Sequence, residues 1–342
     1  MKIGITTYPT LWQRTGGLQV QIHQTMANLR KEGLTVECIN PLKDKFSEFD
    51  VIHIFSATHG MYLTAEEARM QGIKTVISPV FQPDLPRFTP LIHQTCDWLC
   101  RQITDNRVKT SHGYIKSALE ATNHIVALSS KEENVIRRLY NMESRRISII
   151  PNGIDGAFFS ATPQLFDETI RLSHGFTLVV GSISKYKNQL SVIRATKGPV
   201  VLVGQIIDQH YFDLCRKEAG SRMTYLGVFE FGNPILPSIY AAAGVTVLAS
   251  DGEAFGLSVA ESLASGTPAI LTRNNGMEVL PAPPHLQFVD SQDLNALQSA
   301  IEMALLTGAK NPEKCRAKVR HFEWSVVARA LTEVYEKVLS TR

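Results

Sequence analysis

The sequence predicts an α/β protein built from two doubly wound, parallel-sheet domains. Three observations carry this. Short β-branched and aliphatic runs alternate along the chain with longer segments of helical periodicity. The alternation starts at Lys2–Thr7, breaks at Pro151-Asn152-Gly153-Ile154-Asp155, and resumes at Phe176. The 342 residues suffice for two domains of ordinary size.

Composition narrows the class. Hydrophobic residues make up 44% and charged residues 20%, as in soluble globular proteins. A net charge of +3 is too small to argue for nucleic acid, and leaves room only for a shallow basic patch facing anionic lipid. No run of about eighteen apolar residues appears, so no membrane span is expected. The opening MKIGITTYP reads as a strand and not as a signal peptide. Five scattered cysteines suit a reducing cytosol. Cys96 and Cys100 are one helical turn apart, but no second Cys or His pair completes a metal site, so they read as structural thiols.

In the first half, Lys2–Thr7 is the first strand and Tyr8–Gly17 a loop ending in Thr15-Gly16-Gly17. Leu18–Glu32 has helical periodicity and stops at Gly33. A glycine pair between first strand and first helix gives backbone N–H groups room beside a phosphate. Strands follow at Leu34–Ile39, Asp50–Phe55 and Lys74–Ser78; the strand ends carry His53, Ser56, His59 and the turn Ser78-Pro79-Val80-Phe81-Gln82. Residues Thr89–Thr122 are mostly helical, with Arg101, Arg107, Lys109 and Lys116 among Trp98, Leu99 and Ile103. Such mixing predicts one solvated face and one core face; the sharper alternative is a surface for a lipid-linked acceptor. His124–Ser129 is a strand, Lys131–Tyr140 a helix and Ile147–Ile150 a strand.

In the second half, strands are expected at Phe176–Gly181, Val200–Gly204, Met223–Gly227, Val245–Ala249, Thr267–Leu271 and Leu286–Val289. The segment Gly181–Asn188 is a strand end, a small-residue loop and a helix start, and it carries Lys185 and Lys187 to pair with a diphosphate. Residues 244–278 read as strand, glycine loop, helix, turn and strand, a βαβ unit. Ligands of such sheets bind outside the carboxyl ends of the strands, here Asp251–Gly256. The helix starting at Gly256–Leu257 points N–H groups out of its end, and Gly256 permits close approach. Glu253 precedes that helix, and Glu261 lies about two turns, or ~12 Å, further on. Carboxylates accept hydrogen bonds from hydroxyls. A molecule with hydroxyls on both sides of a diphosphate is a nucleotide-sugar. Helices are expected at Leu294–Leu306 and Pro312–Val319, with a last helix running to about Leu339.

Glu253-Ala254-Phe255-Gly256-Leu257 with Glu261 resembles the E-x7-E motif of retaining GT-B glycosyltransferases of family GT4. The flanks Ala249-Ser250 and Ala264-Ser265-Gly266-Thr267-Pro268 match as well, as do the PNGID element, the strand His124–Ser129 and the ending Phe322-Glu323-Trp324. The resemblance implies a GT-B fold, two Rossmann-like domains facing across a cleft. Residues 1–160 with 321–342 would form the acceptor-side domain, its C-terminal helix crossing back, and 161–320 the nucleotide-sugar-binding domain. Glu253 would hold donor-sugar hydroxyls and Glu261 the ribose, with the backbone of Phe255, Gly256 and Leu257 meeting sugar and phosphate. Gly16 and Gly17 resemble the family's GG loop, which lies across the cleft from the donor phosphates and near the acceptor. The family pattern Gly-Arg followed by Lys fits Gly181 and Lys187, but Ser182 stands where the arginine belongs, which removes a bidentate partner. Lys185 is the candidate substitute. Gly204 lies where relatives read the base, and Glu278 ends a turn that closes the donor pocket. The histidine that many relatives carry after the fourth strand is missing from Ser78–Gln82, and His59 is the acceptor-side candidate in its place.

The resemblance implies transfer of a sugar, with retention, from a nucleotide-sugar to a hydroxyl in glycan or glycolipid synthesis. A UDP-sugar is the first expectation and a GDP-sugar the second. Lys187 and Glu253 are the catalytic candidates. No cofactor is expected, and no metal, since no Asp-x-Asp motif appears. The expected partners are the nucleotide-sugar and a glycan or lipid-linked acceptor, with no nucleic acid. The expected place is the cytoplasm, with peripheral contact at the inner face of the cytoplasmic membrane. Two alternatives stand beside this: a non-catalytic glycosyltransferase-like subunit, suggested by Ser182 and the missing histidine, and a nucleotide-sugar epimerase on the same fold.

Overall fold

The computed structural model describes residues 1–13, 16–58, 60–81, 89–105, 108–230, 232–306 and 311–341. The chain divides into two compact units: unit 1 is Met1–Gly153 with the segment from Trp324 onward, and unit 2 is Ile154–Glu323. The joints fall a few residues from the expected 160 and 320, because Ile154 donates its N–H to Phe322 O (2.7 Å) and so keeps both ends of unit 2 together.

Unit 1 runs β1 (Lys2–Thr7), α1 (Gly17–Lys31), β2 (Thr35–Cys38), β3 (Val51–Phe55), α2 (Met61–Met70), β4 (Lys74–Ser78), α3 (Thr89–Ile103), α4 (Ser111–Ala121), β5 (His124–Ala127), α5 (Ser130–Tyr140) and β6 (Ile147–Ile149). Its six strands lie in the order β2-β1-β3-β4-β5-β6, and all pairings are parallel. Successive side chains of a strand point to opposite faces, and β3 shows the result. Val51 and Phe55 join the core under α1, while Ile52 and Ile54 join the core under α2, α4 and α5.

Unit 2 runs α6 (Gly156–Phe159), α7 (Gln164–Thr169), β7 (Thr177–Val180), α8 (Gln189–Ala195), β8 (Val200–Val203), α9 (Gln209–Ala219), β9 (Met223–Tyr225), α10 (Ile235–Ala242), β10 (Val245–Leu248), α11 (Leu257–Ala264), β11 (Ala269–Thr272), β12 (Leu286–Val289), α12 (Leu294–Leu306) and α13 (Pro312–Val319). The strand order is β12-β11-β10-β7-β8-β9, again all parallel. The last helix, α14 (Trp324–Ser340), returns to unit 1. Its buried stripe of Trp324, Val327, Ala328, Leu331, Val334, Tyr335 and Val338 completes the core under α1. Gly153 is glycine because a Cβ there would stand 2.2 Å from the Trp324 ring.

His53, placed at a strand end by the sequence, is instead fully buried within β3. It joins Tyr335 Oη (2.7 Å) to Ser78 Oγ (2.9 Å), and burial pushes its imidazole down to about 3. It is a core histidine. The helical stretch 89–122 is two helices, and α3 is inverted relative to expectation. Its inner side is polar: Asp97 is buried against Thr110, Arg101 pairs with Asp97, and Gln94 reaches Leu139 O. Leu91, Ile92, Trp98 (58% exposed), Leu99 and Ile103 (82%) face outward. No described helix is long and apolar enough to cross a membrane.

The turn after β4 is held from below. Glu132, 1% exposed in α5, accepts the N–H of Phe81 (2.6 Å) on one oxygen and that of Leu128 (2.7 Å) on the other. Burial pushes this carboxyl up to about 7, against the pull of backbone N–H groups from Leu128, Phe81 and Val80.

Candidate active site

In unit 2 the chain moves outward from β7 to β8 and β9, then returns to set β10 on the other side of β7. That reversal is the topological switch point, and the loops after β7 and β10 flank the crevice where open α/β sheets bind ligands. The loop after β7 carries Ser182, Lys185 and Lys187; the loop after β10 carries Glu253, and α11 follows. Unit 1 has its own switch point between β1 and β3, with Gly16 and Gly17 after β1.

Residues 185–187 make a single 3-10 turn, closed by Asn188 in the left-handed conformation (φ 55°), which asparagine tolerates better than most residues. Asn188 is tied down by its amide to Ser291 O (3.1 Å) and by Ser191 Oγ (2.7 Å). This turn aims Lys187 at the β10 loop, where its ammonium lies 2.5 Å from Glu253 Oε1. The two side chains are only 21% and 13% exposed. Ser250 Oγ donates to the same oxygen at 2.5 Å. Tyr186 seals the two loops from the other side: its hydroxyl donates to Gly252 O, and its carbonyl accepts from Asp251 N (3.1 Å). Burial, with Glu253 and Asp251 nearby, pushes the Tyr186 phenol up to about 12. Glu253 is fixed through its own backbone too, which bridges the 274–276 loop (Glu253 N to Asn274 O and Gly276 N to Glu253 O, both 2.9 Å).

Gly256 N-caps α11 at φ 92°, a conformation that a side chain would strain. The first internal bonds of the helix run from Val259 and Ala260 N–H to Gly256 O (3.0 and 3.2 Å). The N–H groups of Leu257 and Ser258 precede them and point out of the helix end. Phe255 is buried edge-on to Phe322 (5.1 Å), so its side chain anchors the loop and only its backbone is placed to meet a ligand. Two turns along, Glu261 Oε2 accepts the Tyr240 hydroxyl at 2.8 Å. Burial pushes the Glu261 carboxyl up to about 7; the Tyr240 bond opposes this and Asp155 adds to it. Tyr240 is fully buried.

Residues 162–322 match the family profile of glycosyl transferases group 1, and residues 39–158 that of glycosyltransferase family 4. This chain belongs to glycosyltransferase family 4. The family 4 chain is 23% identical to the D-inositol 3-phosphate glycosyltransferase of Corynebacterium urealyticum, over 94% of this chain and 91% of that one. It is 26% identical to the mannosylfructose-phosphate synthase of Agrobacterium fabrum, over 49% of this chain and 42% of the relative, so that likeness spans less than half of either protein. Solved structures similar in fold include sucrose-phosphate synthase from Thermosynechococcus elongatus (TM-score 0.75, 19% identity, 100% and 99% of the two chains) and a glycosyltransferase from Rickettsia africae (TM-score 0.72, 15% identity, 100% and 99%). The two parallel six-stranded sheets are those of the GT-B fold.

Lys187, Glu253, Gly256, Leu257 and Glu261 of this family 4 chain are therefore brought together within unit 2. Other expected residues stand differently. Lys185 is exposed, and no ion pair involves it among the described residues. Ser182 lies at the β7 end, its carbonyl held by Gln189 Nε2 (2.8 Å). Gly204 has φ 141°, and a Cβ on it would stand 2.0 Å from Gly181 O. Its N–H goes to Gly227 O and its carbonyl accepts the Tyr225 hydroxyl (both 2.8 Å). Close packing of two loops thus accounts for this glycine. Glu278 is exposed beyond the 274–276 loop. Gly16 N-caps α1 and Gly17 is its first residue, both in unit 1. His59, the acceptor-side candidate, lies outside the described residues. Three side chains in direct contact with the site escaped the sequence reading: Ser250, Tyr186 and Tyr240. Only Ser250, three residues before Glu253, had a local signal.

Proposed function

We propose that this chain transfers a sugar from a nucleotide-sugar donor to a hydroxyl acceptor, with retention and without a metal. The observation that carries the reading is the meeting of Lys187 and Glu253 at the switch point of unit 2, beside the N-terminus of α11. An ammonium and a helix end supply positive potential for a diphosphate. They stabilise the charge that develops as the diphosphate departs. Glu253 and Glu261 accept hydrogen bonds from hydroxyls on its two sides and so orient the donor. A UDP-sugar is the first donor to test and a GDP-sugar the second. Retention rests on the E-x7-E resemblance.

Calorimetric titration and thermal shift with UDP, GDP and ADP, on the wild type and Glu261→Ala, test the donor site. A ligand at a hundred times its dissociation constant stabilises by ~2.7 kcal/mol. Binding of one nucleotide, weakened by Glu261→Ala, is expected. Ser182 favours a second reading, a non-catalytic subunit, which predicts that neither a nucleotide nor its sugar conjugate binds at millimolar concentration, and a stable complex with another transferase.

For the acceptor we favour a glycan or lipid-linked hydroxyl; one relative is an O-antigen chain mannosyltransferase of Salmonella typhimurium. Peripheral membrane contact is assigned to the outward apolar side of α3, where the Trp98 indole suits the water–lipid boundary. Co-sedimentation with anionic vesicles should fall for Trp98→Ser with Ile103→Ser; equal sedimentation of both proteins would sink this assignment.

A further inference from the structure

The two charged residues of the donor site hold each other, and this has a cost for any ligand that needs only one of them. Lys187 and Glu253 are 2.5 Å apart and largely shielded from water. Separating a shielded ion pair leaves each charge in want of a partner. A diphosphate satisfies Lys187 but not Glu253. It also brings negative charge beside a carboxylate that is 13% exposed and fixed by Ser250 and by its backbone bridge to Asn274 and Gly276. Glu253 therefore opposes a bare nucleoside diphosphate. A sugar on that diphosphate brings hydroxyl donors, which satisfy the carboxylate and remove the opposition.

We propose that the Lys187–Glu253 pair makes diphosphate binding conditional on the attached sugar and expels the nucleoside diphosphate after transfer. The inference rests on the donor-site reading above. Once the sugar has left, Glu253 loses its hydroxyl partners and draws Lys187 back, which loosens the product. The missing arginine sharpens the effect. With Ser182 in its place and Lys185 exposed, Lys187 is the lysine of this loop committed to the crevice, and it is the one under the control of Glu253.

The test is a pair of dissociation constants, for the nucleoside diphosphate and for its sugar conjugate, using UDP with UDP-glucose, GDP with GDP-mannose and ADP with ADP-glucose. They are measured by calorimetry on wild type, Glu253→Gln and Glu253→Asp. Glu253→Gln keeps the shape and removes the charge. It should bind the sugarless diphosphate about tenfold tighter, ~1.4 kcal/mol, and the sugar conjugate no tighter than wild type does. Product inhibition should deepen in step. Glu253→Asp withdraws the carboxylate without removing it and should fall between. Thermal melts establish that each variant is folded. A folded Glu253→Gln whose diphosphate affinity is unchanged or weaker overturns the inference while leaving the donor site standing. Wild type that binds none of the six ligands overturns both.

Discussion

Tyr240→Phe separates a carboxylate that binds from one that merely fills space. The hydroxyl of Tyr240 is fully buried and bonds Glu261 Oε2 at 2.8 Å. Among the causes that set the Glu261 carboxyl at about 7, this bond is the one that favours the ionised form. A hydrogen bond to a charged group contributes about 1.5 kcal/mol or more, which corresponds to about one pH unit in the titration midpoint. The variant should therefore titrate about one unit higher. Near pH 7 the ionised share of Glu261 would fall from about half to about one tenth. If the ionised carboxylate is what accepts the ribose hydroxyls, nucleotide affinity near neutral pH drops about fivefold. The loss should recover by about pH 9, where both proteins are ionised. Stability follows the same linkage. The folded pKa of Glu261 is raised above its ordinary 4.5, so its stabilising contribution is full below that value and is lost as pH rises through about 7. Tyr240→Phe should thus cost more in melting temperature on the alkaline side of 7 than on the acid side. Calorimetric titrations across this range, with melts at each pH, supply both readouts. Superimposable pH profiles for the two proteins would refute the reasoning.

Two further outcomes are expected. Gly204→Ala forces a methyl to within 2.0 Å of Gly181 O at a φ of 141°; a loss of ~3 kcal/mol or more is expected, read by calorimetry as a lowered transition for unit 2. Glu132→Gln sets an amide N–H against one of the backbone N–H groups that the carboxylate accepts, and should cost ~1–3 kcal/mol. Because the Glu132 carboxyl is raised to about 7, wild type loses its contribution as pH rises through that value; the amide variant, melted over the same range, should lack this slope.

Much of the framework is legible in the residues alone. Strands β1, β4 and β12 and helices α12 and α13 have the bounds their apolar runs and end signals predict. Sites on single loops are legible for the same reason, since Gly256 and Glu253 sit in local turn chemistry. What sequence withholds is pairing over distance. Lys187 and Glu253 each look like ligand groups, but their contact depends on β7 lying beside β10, which a succession of strands does not contain. Tyr240 reaches Glu261 from a neighbouring helix, with no pattern linking the two. Helix α3 shows the other limit. Periodicity reveals two faces but not which one looks inward, and Asp97, held by Thr110 and Arg101, turns the polar face in. His53 looks like a strand-end residue because its partner Tyr335 lies at the far end of the chain.

That last partnership bears on how the protein is made. The sheet of unit 1 leaves the ribosome early, but one of its two walls includes α14, which is synthesised after all of unit 2. At about 5–20 residues per second, Ile3, Val51 and Val76 wait roughly ten to seventy seconds for Leu331 and Val334 to arrive. Unit 2 is continuous in the chain and can close in the meantime. The half born first is finished last, and during that interval its half-covered sheet is the surface on which a nascent-chain chaperone would act.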